Sequence, residues 1–506
     1  MARMPETKKP LPPPSGPQPG RWVLGHGEIR TIVLGLMLAM FLAALNQTIV
    51  ATALPTIGRD FRDFELLPWV VTAYLLTSTA VAPLYGKLSD IYGRRAMMLA
   101  SIGIFIAGSA ACAAAPDMIM LILGRGLQGI GGGGILPLAQ TILADAAAPR
   151  ERGRYQAYMG SVWVTAGLGG PVLGGILSEH FHWSVIFWLN VPVGLVAAFM
   201  SHKHLKRLPR HDHKHKLDLL GAGLMMASAI PLLLALTWGG ARYPWISPPI
   251  AALILAAAVL SLLFAWRLTR APEPFLPLPV LANPVMRMGT VCTSFSQGVV
   301  IGLTIFLPLY FEVVHKFSAS DSGLALIPIV VMSTPGSILA GRGMMSLDRY
   351  KRVPLICLSC SIAALSLLVW QPAMPPIAVA AVLSVVAFGI GTSYPVGTVS
   401  IQNAVSRYQV GAAMGAMNFF RGLTAAFIVA AMGAIVLAGL GVAPARGGGV
   451  AAATGTATAL GVDLAHVFRG VFALGVLCLV VSLIALIRME ERPLRGRSED
   501  VPPPVA

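Results

Sequence analysis

Apolar residues along the chain form fourteen runs of helix length, separated by short polar segments. A membrane-spanning helix needs about 20 mostly apolar residues, because every backbone polar group must be satisfied within the segment. The pattern therefore predicts an all-α integral membrane protein with fourteen spans. The predicted spans are 31–53, 67–85, 96–115, 118–144, 157–178, 184–200, 219–238, 250–266, 289–314, 323–345, 353–370, 377–400, 412–440 and 467–487.

Two polar segments recur further along the chain. The first is a predicted loop at residues 86–95 with the sequence GKLSDIYGRR, and the second follows the fourth helix. Both pairs are eight helices apart. An even offset keeps the copies in the same orientation, which is typical of parallel repeats. The sequence thus predicts two six-helix halves separated by an inserted pair, helices 7 and 8. The matching residues are Asp90, Tyr92 and Arg94 with Asp348, Tyr350 and Arg352, and Gln140, Arg150 and Gly153 with Gln402, Arg407 and Gly411.

The repeat divides the chain into two bundles, linkers and tails. The first residues are rich in proline, carry no pattern of a removable signal peptide, and are expected to be disordered. The linker between the halves is rich in His, Lys and Arg, and we expect a basic segment at the membrane surface rather than a metal site. The predicted boundaries are 1–30 (cytoplasmic tail), 31–200 (N-terminal bundle), 201–218 (linker), 219–266 (helices 7 and 8), 267–288 (linker), 289–487 (C-terminal bundle) and 488–506 (cytoplasmic tail).

Composition and charge agree with a membrane protein. The 506 residues are 56% apolar and 11% charged, with a mean hydropathy of +0.74, outside the range of soluble domains. The net charge of +16 could suit nucleic acid, but the basic residues lie in short loops between apolar runs, so no nucleic-acid binding is expected. With the amino terminus inside, 29 of the 37 Lys and Arg residues are cytoplasmic and six are external. This bias predicts cytoplasmic termini.

Signatures in several helices resemble those of the major facilitator superfamily, and within it the fourteen-helix drug:proton antiporters. The resemblance covers nearly the whole chain. It implies a secondary transporter, not an enzyme, that exports amphipathic drugs or toxic metabolites by alternating access in exchange for protons. It also implies a monomer in the bacterial inner membrane, with no cofactor or metal, for which a periplasmic adaptor is a candidate partner. The segments are LNQTIV (45–50), GKLSDIYGRR (86–95), LGRGLQG (123–129), GLGGPVLGG (167–175) and NVPVG (190–194).

The repeated polar segment is expected to be a conformational latch. Asp90 and Arg94 are four residues apart, so acid and base can face each other on one helical turn. In the family such a segment holds the two halves together and opens when access changes, whereas the alternative is a plain positive-inside anchor. The predicted latch residues are Gly86, Asp90, Gly93, Arg94, Arg95, Asp348 and Arg352.

Proton coupling is predicted to involve Arg125, Glu312 and the position of Asn46. A guanidinium within an apolar helix is costly, so we expect Arg125 to face a water-filled cleft or a partner, with Gln128 on the same face. The alternative is a structural arginine that caps carbonyl groups. Asn46 stands where this branch usually has an acid, and it cannot carry a proton. We therefore hypothesise that Glu312, partly buried at the external end of helix 9, carries it; an interface carboxylate near Lys316 is the alternative.

Polar and aromatic side chains at mid-depth are predicted to line the substrate pocket. Aromatic faces bind lipophilic cations, but a fixed Arg421 would attract anions instead. Small residues in helix 5 are expected to let a neighbouring helix approach closely. The resemblance implies that this packing lies between the two halves, and packing without a role in the direction of transport is the alternative. An uptake symporter, an uncoupled facilitator, and a sensor or scaffold stay open as alternatives. The predicted residues are Asn46, Tyr74, Gln128, Trp163, Gln297, Asn418 and Arg421 for the pocket, and Gly167, Gly170, Pro171, Gly174 and Gly175 for the helix interface.

Overall fold

A computed structural model of the chain describes residues 25–207, 217–240, 242–439 and 464–494. Fourteen spans in these ranges are long and apolar enough to cross a bilayer, so the predicted number is confirmed. Most of the predicted tails and half of the basic linker fall outside the described residues. The helices are α1 (His26–Phe61), α2 (Leu67–Tyr92), α3 (Arg94–Ala113), α4 (Met118–Ala146), α5 (Pro149–His180), α6 (Val185–His204), α7 (Leu219–Trp238), α8 (Pro248–Arg270), α9 (Leu278–Ala282), α10 (Pro284–Val314), α11 (Ala319–Leu324), α12 (Ile327–Val331), α13 (Ser333–Ser346), α14 (Arg352–Trp370), α15 (Pro376–Ala404), α16 (Val410–Gly439) and α17 (Leu464–Arg488).

The helices form two bundles with an inserted pair, as predicted. Helices α1–α6 pack against one another, and so do α10–α17. The two halves meet along two interfaces, α2 against α16 and α5 against α13. Helix α7 contacts both α2 and α16, so the inserted pair lies beside the first interface. Because the number of spans is even, α1 begins and α17 ends on one face, which we call the inner face and which is predicted to be cytoplasmic.

Glycines close both interfaces near the inner face. Gly86 and Gly411 approach so closely that a Cβ on either would collide with the carbonyl oxygen of the other. At the second interface, a Cβ on Gly341 would lie 2.7 Å from the carbonyl oxygen of Gly153. Gly86, Gly153 and Gly411 belong to the repeated segments, and Gly341 lies just ahead of the second copy that contains Asp348, Tyr350 and Arg352. The internal repeat of the sequence therefore corresponds to two equivalent helix–helix interfaces.

The predicted loop at residues 86–95 is almost entirely helical. Helix α2 continues to Tyr92, and α3 begins at Arg94. Only Gly93 separates the helices, with a φ of +90°, a conformation that glycine adopts without strain. Asp90 and Arg94 consequently lie on different helices, and the prediction that they share one helical turn is wrong.

The tenth predicted span, 323–345, is broken into α11, α12 and α13. A proline lacks the backbone N–H, and its ring displaces the carbonyl group four residues earlier. Pro328 and Pro335 stand four residues after Leu324 and Val331, which are the last residues of α11 and α12. The two prolines therefore explain both breaks.

Candidate functional site

The α2–α16 interface is closed at the inner face by a buried carboxylate. Asp90 Oδ2 accepts a hydrogen bond from the Ala412 backbone N–H at 2.9 Å, and Oδ1 accepts one from Gly411 at 3.2 Å. Both amides lie in the first turn of α16, where backbone N–H groups lack partners within the helix and a negative charge is favourable. Asp90 of one half thus caps a helix of the other half.

Further contacts hold Asp90 in this position. Arg94 pairs with Asp90 and, through Nε, with Asp145 at 2.8 Å. Its NH1 group also donates to Ser89 Oγ at 2.9 Å. These groups belong to α2, α3 and α4, so among the described contacts of Asp90 and Arg94 only the hydrogen bonds to α16 cross between the halves. Asp145, to which the sequence analysis assigned no role, completes this charged cluster, whereas Arg95 lies outside it and contacts His202 at 2.9 Å.

The second copy of the segment makes no equivalent contact. The Asp348 side chain is 99% exposed, and its charged contact in the described part of the chain is Arg150 at 3.6 Å. Arg352, at the start of α14, is also exposed. The latch roles of Asp348 and Arg352 therefore gain no support from this conformation.

The partner helices explain why the two copies differ. Helix α5 begins at Pro149, so the N–H of Gly153 already lies within the helical hydrogen-bond ladder. Helix α16 begins only at Val410, after a 3₁₀ turn over Arg407–Gln409. It therefore starts later relative to Gly411 than α5 starts relative to Gly153. The N–H of Gly411 is consequently left for Asp90.

Lys351, in the second copy, anchors the last helix instead. Its Nζ donates hydrogen bonds to the carbonyl groups of Ile487 at 3.2 Å and Met489 at 2.5 Å, and its backbone N–H donates to Glu491 at 3.0 Å. Burial lowers the pKa of the Lys351 ammonium, while the Glu491 carboxylate acts in the opposite direction. A cation at this position is favourable because the carbonyl end of a helix is negative.

Arg125 lies in the interior of the N-terminal half and is 1% exposed. Its Nε donates to the Val70 carbonyl at 2.8 Å, its NH1 donates to Gln128 Oε1 at 2.5 Å, and its guanidinium lies 4.5 Å from the Tyr74 ring centroid. Of the two expected surroundings, the structure shows the partners, and the expectation of a water-filled cleft is wrong. The structure matches the alternative, an arginine that satisfies a carbonyl group.

Asn46 extends this network within the same half. Its Oδ1 accepts hydrogen bonds from Gln128 at 3.1 Å and from Asn190 at 3.2 Å, and Gln128 also donates to Ser109 at 2.6 Å. No carboxylate contacts this network in the described part of the chain. Asn46, Gln128 and Tyr74 are each at most 1% exposed, so their predicted place in the substrate pocket gains no support from this conformation.

A second polar cluster joins the two halves and includes two of the predicted pocket residues. Asn418 Nδ2 donates to Gln140 Oε1 at 2.6 Å, and the Gln140 amide donates to the Tyr394 hydroxyl. Arg421 NH1 also donates to the Tyr394 hydroxyl, at 2.8 Å. Gln402 Nε2 donates to the Gln140 carbonyl at 3.0 Å. Sequence reasoning missed Tyr394, and it singled out the two glutamines only as markers of the repeat.

The other predicted pocket residues lie on separate helices. Trp163 is 41% exposed on α5. It stands between Gly160 and Gly167, which face α13 and α12 of the other half, so Trp163 lies at the interface between the halves. Gln297 is half-buried on α10. The pocket role of both residues stays a prediction.

The small residues of helix 5 mostly pack within their own half. A Cβ on Gly170 or Gly174 would collide with Thr48 or Thr52 of α1. Of the predicted interface residues, Gly167 faces the other half, with its Cβ position 3.3 Å from Val330. The predicted close approach of a neighbouring helix is thus confirmed at Gly170 and Gly174, but that helix is α1 of the same half, so their expected place between the halves is wrong.

In the described ranges, no acidic side chain is buried near the middle of a membrane-spanning helix. Glu312 is exposed at the outer end of α10, so the partial burial that our hypothesis required is absent. Within the described residues, no three His, Cys, Asp or Glu side chains converge in a way that could hold a metal ion.

Comparisons with known proteins agree on one family. The profile described as Major Facilitator Superfamily matches residues 36–430. The Multidrug transporter protein MdtP of Bacillus subtilis is 30% identical over 81% of this chain and 76% of its own length. Multidrug resistance protein 3 of the same organism is 34% identical over 62% of each chain. The crystal structure of the human organic anion transporter MFSD10 superposes with a TM-score of 0.61 at 16% identity, covering 89% of this chain and 99% of that one, and therefore supports the fold alone.

Proposed function

We propose a function for this chain from one established premise: it belongs to the Major Facilitator Superfamily. It is a membrane transporter rather than an enzyme. We propose that it exports amphipathic small molecules by alternating access between the two halves. The observation that carries this proposal is the Asp90 carboxylate capping α16 across the halves, because such a contact closes the inner face and can break when that face opens. The names of the multidrug relatives support the direction of transport.

The polar cluster between the halves favours neutral or anionic substrates. Arg421 and Tyr394 provide hydrogen-bond donors there, and no carboxylate offsets the guanidinium in the described part of the chain. An anionic group would receive charge-assisted hydrogen bonds from Arg421. A lipophilic cation would be repelled by the same charge.

Exchange for protons is the coupling that the resemblance implies, and it requires a titratable group accessible from both faces. Asn46 cannot titrate, and Glu312 is exposed at the outer end of α10. These observations favour a second candidate, a facilitator whose anionic substrates leave down an inside-negative potential. That potential supplies about 2.3 kcal/mol per charge per 100 mV.

Flux measurements in proteoliposomes test both candidates. A potential alone should drive saturable efflux of an amphipathic anionic dye but not of a lipophilic cation of similar size. Arg421→Gln should lower anion flux about tenfold, since a charge-assisted hydrogen bond is worth about 1.5–3 kcal/mol. Arg270→Gln, at an exposed position on α8, is the matched control and should leave flux unchanged.

Three other results would redirect the proposal. Efflux driven by a pH gradient alone, with counterflow of protons, would establish antiport. Substrate that moves in the direction of uptake when the membrane is energised would indicate a symporter. Correctly folded protein with no substrate-dependent flux would indicate a sensor or scaffold.

For location, we propose the bacterial inner membrane with both termini in the cytoplasm. The support is the distribution of Lys and Arg over the loops. Accessibility of a tag at each terminus to protease in intact cells would test this orientation.

A further inference from the structure

A basic cavity opens at the inner face on the α5–α13 interface, on the other side of the protein from the latch. Its volume is about 340 Å³. Since a water molecule occupies about 30 Å³ in the liquid, this space corresponds to roughly ten waters. It can therefore hold a phosphate group together with bridging waters.

Arginines dominate the charge of the cavity wall. Arg150, Arg154 and Arg342 line it, against one carboxylate, Glu151. A second carboxylate, Asp348, lies at the rim, 3.6 Å from Arg150. The guanidinium of Arg342 makes no hydrogen bond or ion pair in the described part of the chain. The cavity therefore carries a net positive charge and contains free donors.

The arginines come from both halves of the protein. Arg150 and Arg154 are on α5, and Arg342 is on α13. The two helices touch beside the cavity, where Gly341 approaches Gly153. A multivalent anion in the cavity can consequently contact both halves at once, as the Asp90 carboxylate does at the other interface.

We propose that this cavity binds a phosphate group, carried by an anionic lipid headgroup or by free phosphate, and that the bound group ties α5 to α13. Several guanidinium forks around one site match the oxygen atoms of phosphate better than a single carboxylate. Basic pockets between membrane helices on the cytoplasmic side are suited to anionic headgroups. The bound anion stabilises the closed inner face, because opening moves Arg342 away from the arginines of α5.

Thermal unfolding of the full-length protein in detergent tests the site without measuring transport. The probes are dioctanoyl phosphatidylglycerol, dioctanoyl phosphatidylcholine and inorganic phosphate, each titrated at constant ionic strength. A ligand that binds the folded state raises the midpoint according to its dissociation constant. The variants are Arg342→Gln on α13 and Arg154→Gln on α5, both at exposed positions, with Arg270→Gln as the matched control.

Phosphatidylglycerol is expected to stabilise the wild type and Arg270→Gln more than phosphatidylcholine does. Arg342→Gln and Arg154→Gln should each weaken its binding about tenfold, which corresponds to about 1.4 kcal/mol. The same pattern with inorganic phosphate alone would support the site with a soluble ligand. The proposal would be overturned if phosphatidylglycerol bound all four proteins with equal affinity. It would also be overturned if only one of the substitutions Arg342→Gln and Arg154→Gln weakened binding. Because no flux is measured, failure here leaves the transport proposal unaffected.

Discussion

Replacement of Asp90 by asparagine tests whether one carboxylate closes the inner face. Two of its contacts, with the N–H groups of Gly411 and Ala412, cross to the other half. Its contact with Arg94 stays within the N-terminal half and is not broken by opening. Asparagine keeps the shape of the side chain, but it loses the charge and one acceptor oxygen.

The expected size of the effect follows from these two hydrogen bonds. A hydrogen bond to a charged group contributes about 1.5–3 kcal/mol and a neutral one about 1 kcal/mol, so losing one bond and the charge of the other costs at least about 2 kcal/mol. The loss of negative charge at the start of α16 acts in the same direction. At 1.4 kcal/mol per factor of ten, the ratio of closed to open inner face should fall at least about 30-fold.

Hydrogen exchange at the first turn of α16 measures this change directly, since exchange reports how often a segment opens. Asp90→Asn should accelerate exchange there by about the same factor, as the ratio of states requires. The matched control is Asp348→Asn, the same substitution at the repeat-related position, where the side chain is 99% exposed. An exposed ion pair is worth about 0–1 kcal/mol, so the control should change exchange by less than about fivefold. Equal acceleration in the two variants would refute the assignment of the latch to Asp90.

Three further substitutions test other parts of the structure. Gly86→Ala should reduce dye flux in proteoliposomes at least about tenfold, because a Cβ there would collide with a backbone carbonyl of α16 and oppose closure. Gly103→Ala on α3, where nothing lies within 4 Å, should keep wild-type flux. Lys351→Met should destabilise the end of α17 by about 1 kcal/mol, because it removes the hydrogen bonds to the last carbonyl groups. Hydrogen exchange there should become roughly fivefold faster, whereas Arg352→Met should leave it unchanged. Asn46→Asp places a titratable group in the N-terminal network and should add substrate-dependent proton flux, measured with an enclosed pH-sensitive dye; unchanged flux would contradict our account of the missing acid.

The candidate site was only partly predictable. Asp90 and Arg94 stand out in the sequence as charges in a repeated polar segment between apolar runs. Their partners do not: the amides that Asp90 accepts from lie 321 and 322 positions later in the chain. Tyr394 lies inside an apolar span with no local feature that distinguishes it from a packing residue. Its contact with Arg421 depends on how α15 and α16 are placed.

By itself, the sequence determined the number of membrane helices, their duplicated order and the predicted side of each loop. These are local properties, because a helix in lipid must satisfy its backbone within its own segment and Lys and Arg mark the ends that stay inside. Only the tertiary structure decided which copy of the repeated segment caps a helix, and that Arg125 turns into the core of one half. Such partners come from helices far apart in the chain, so they depend on packing and on where each helix begins, which hydropathy and spacing do not specify.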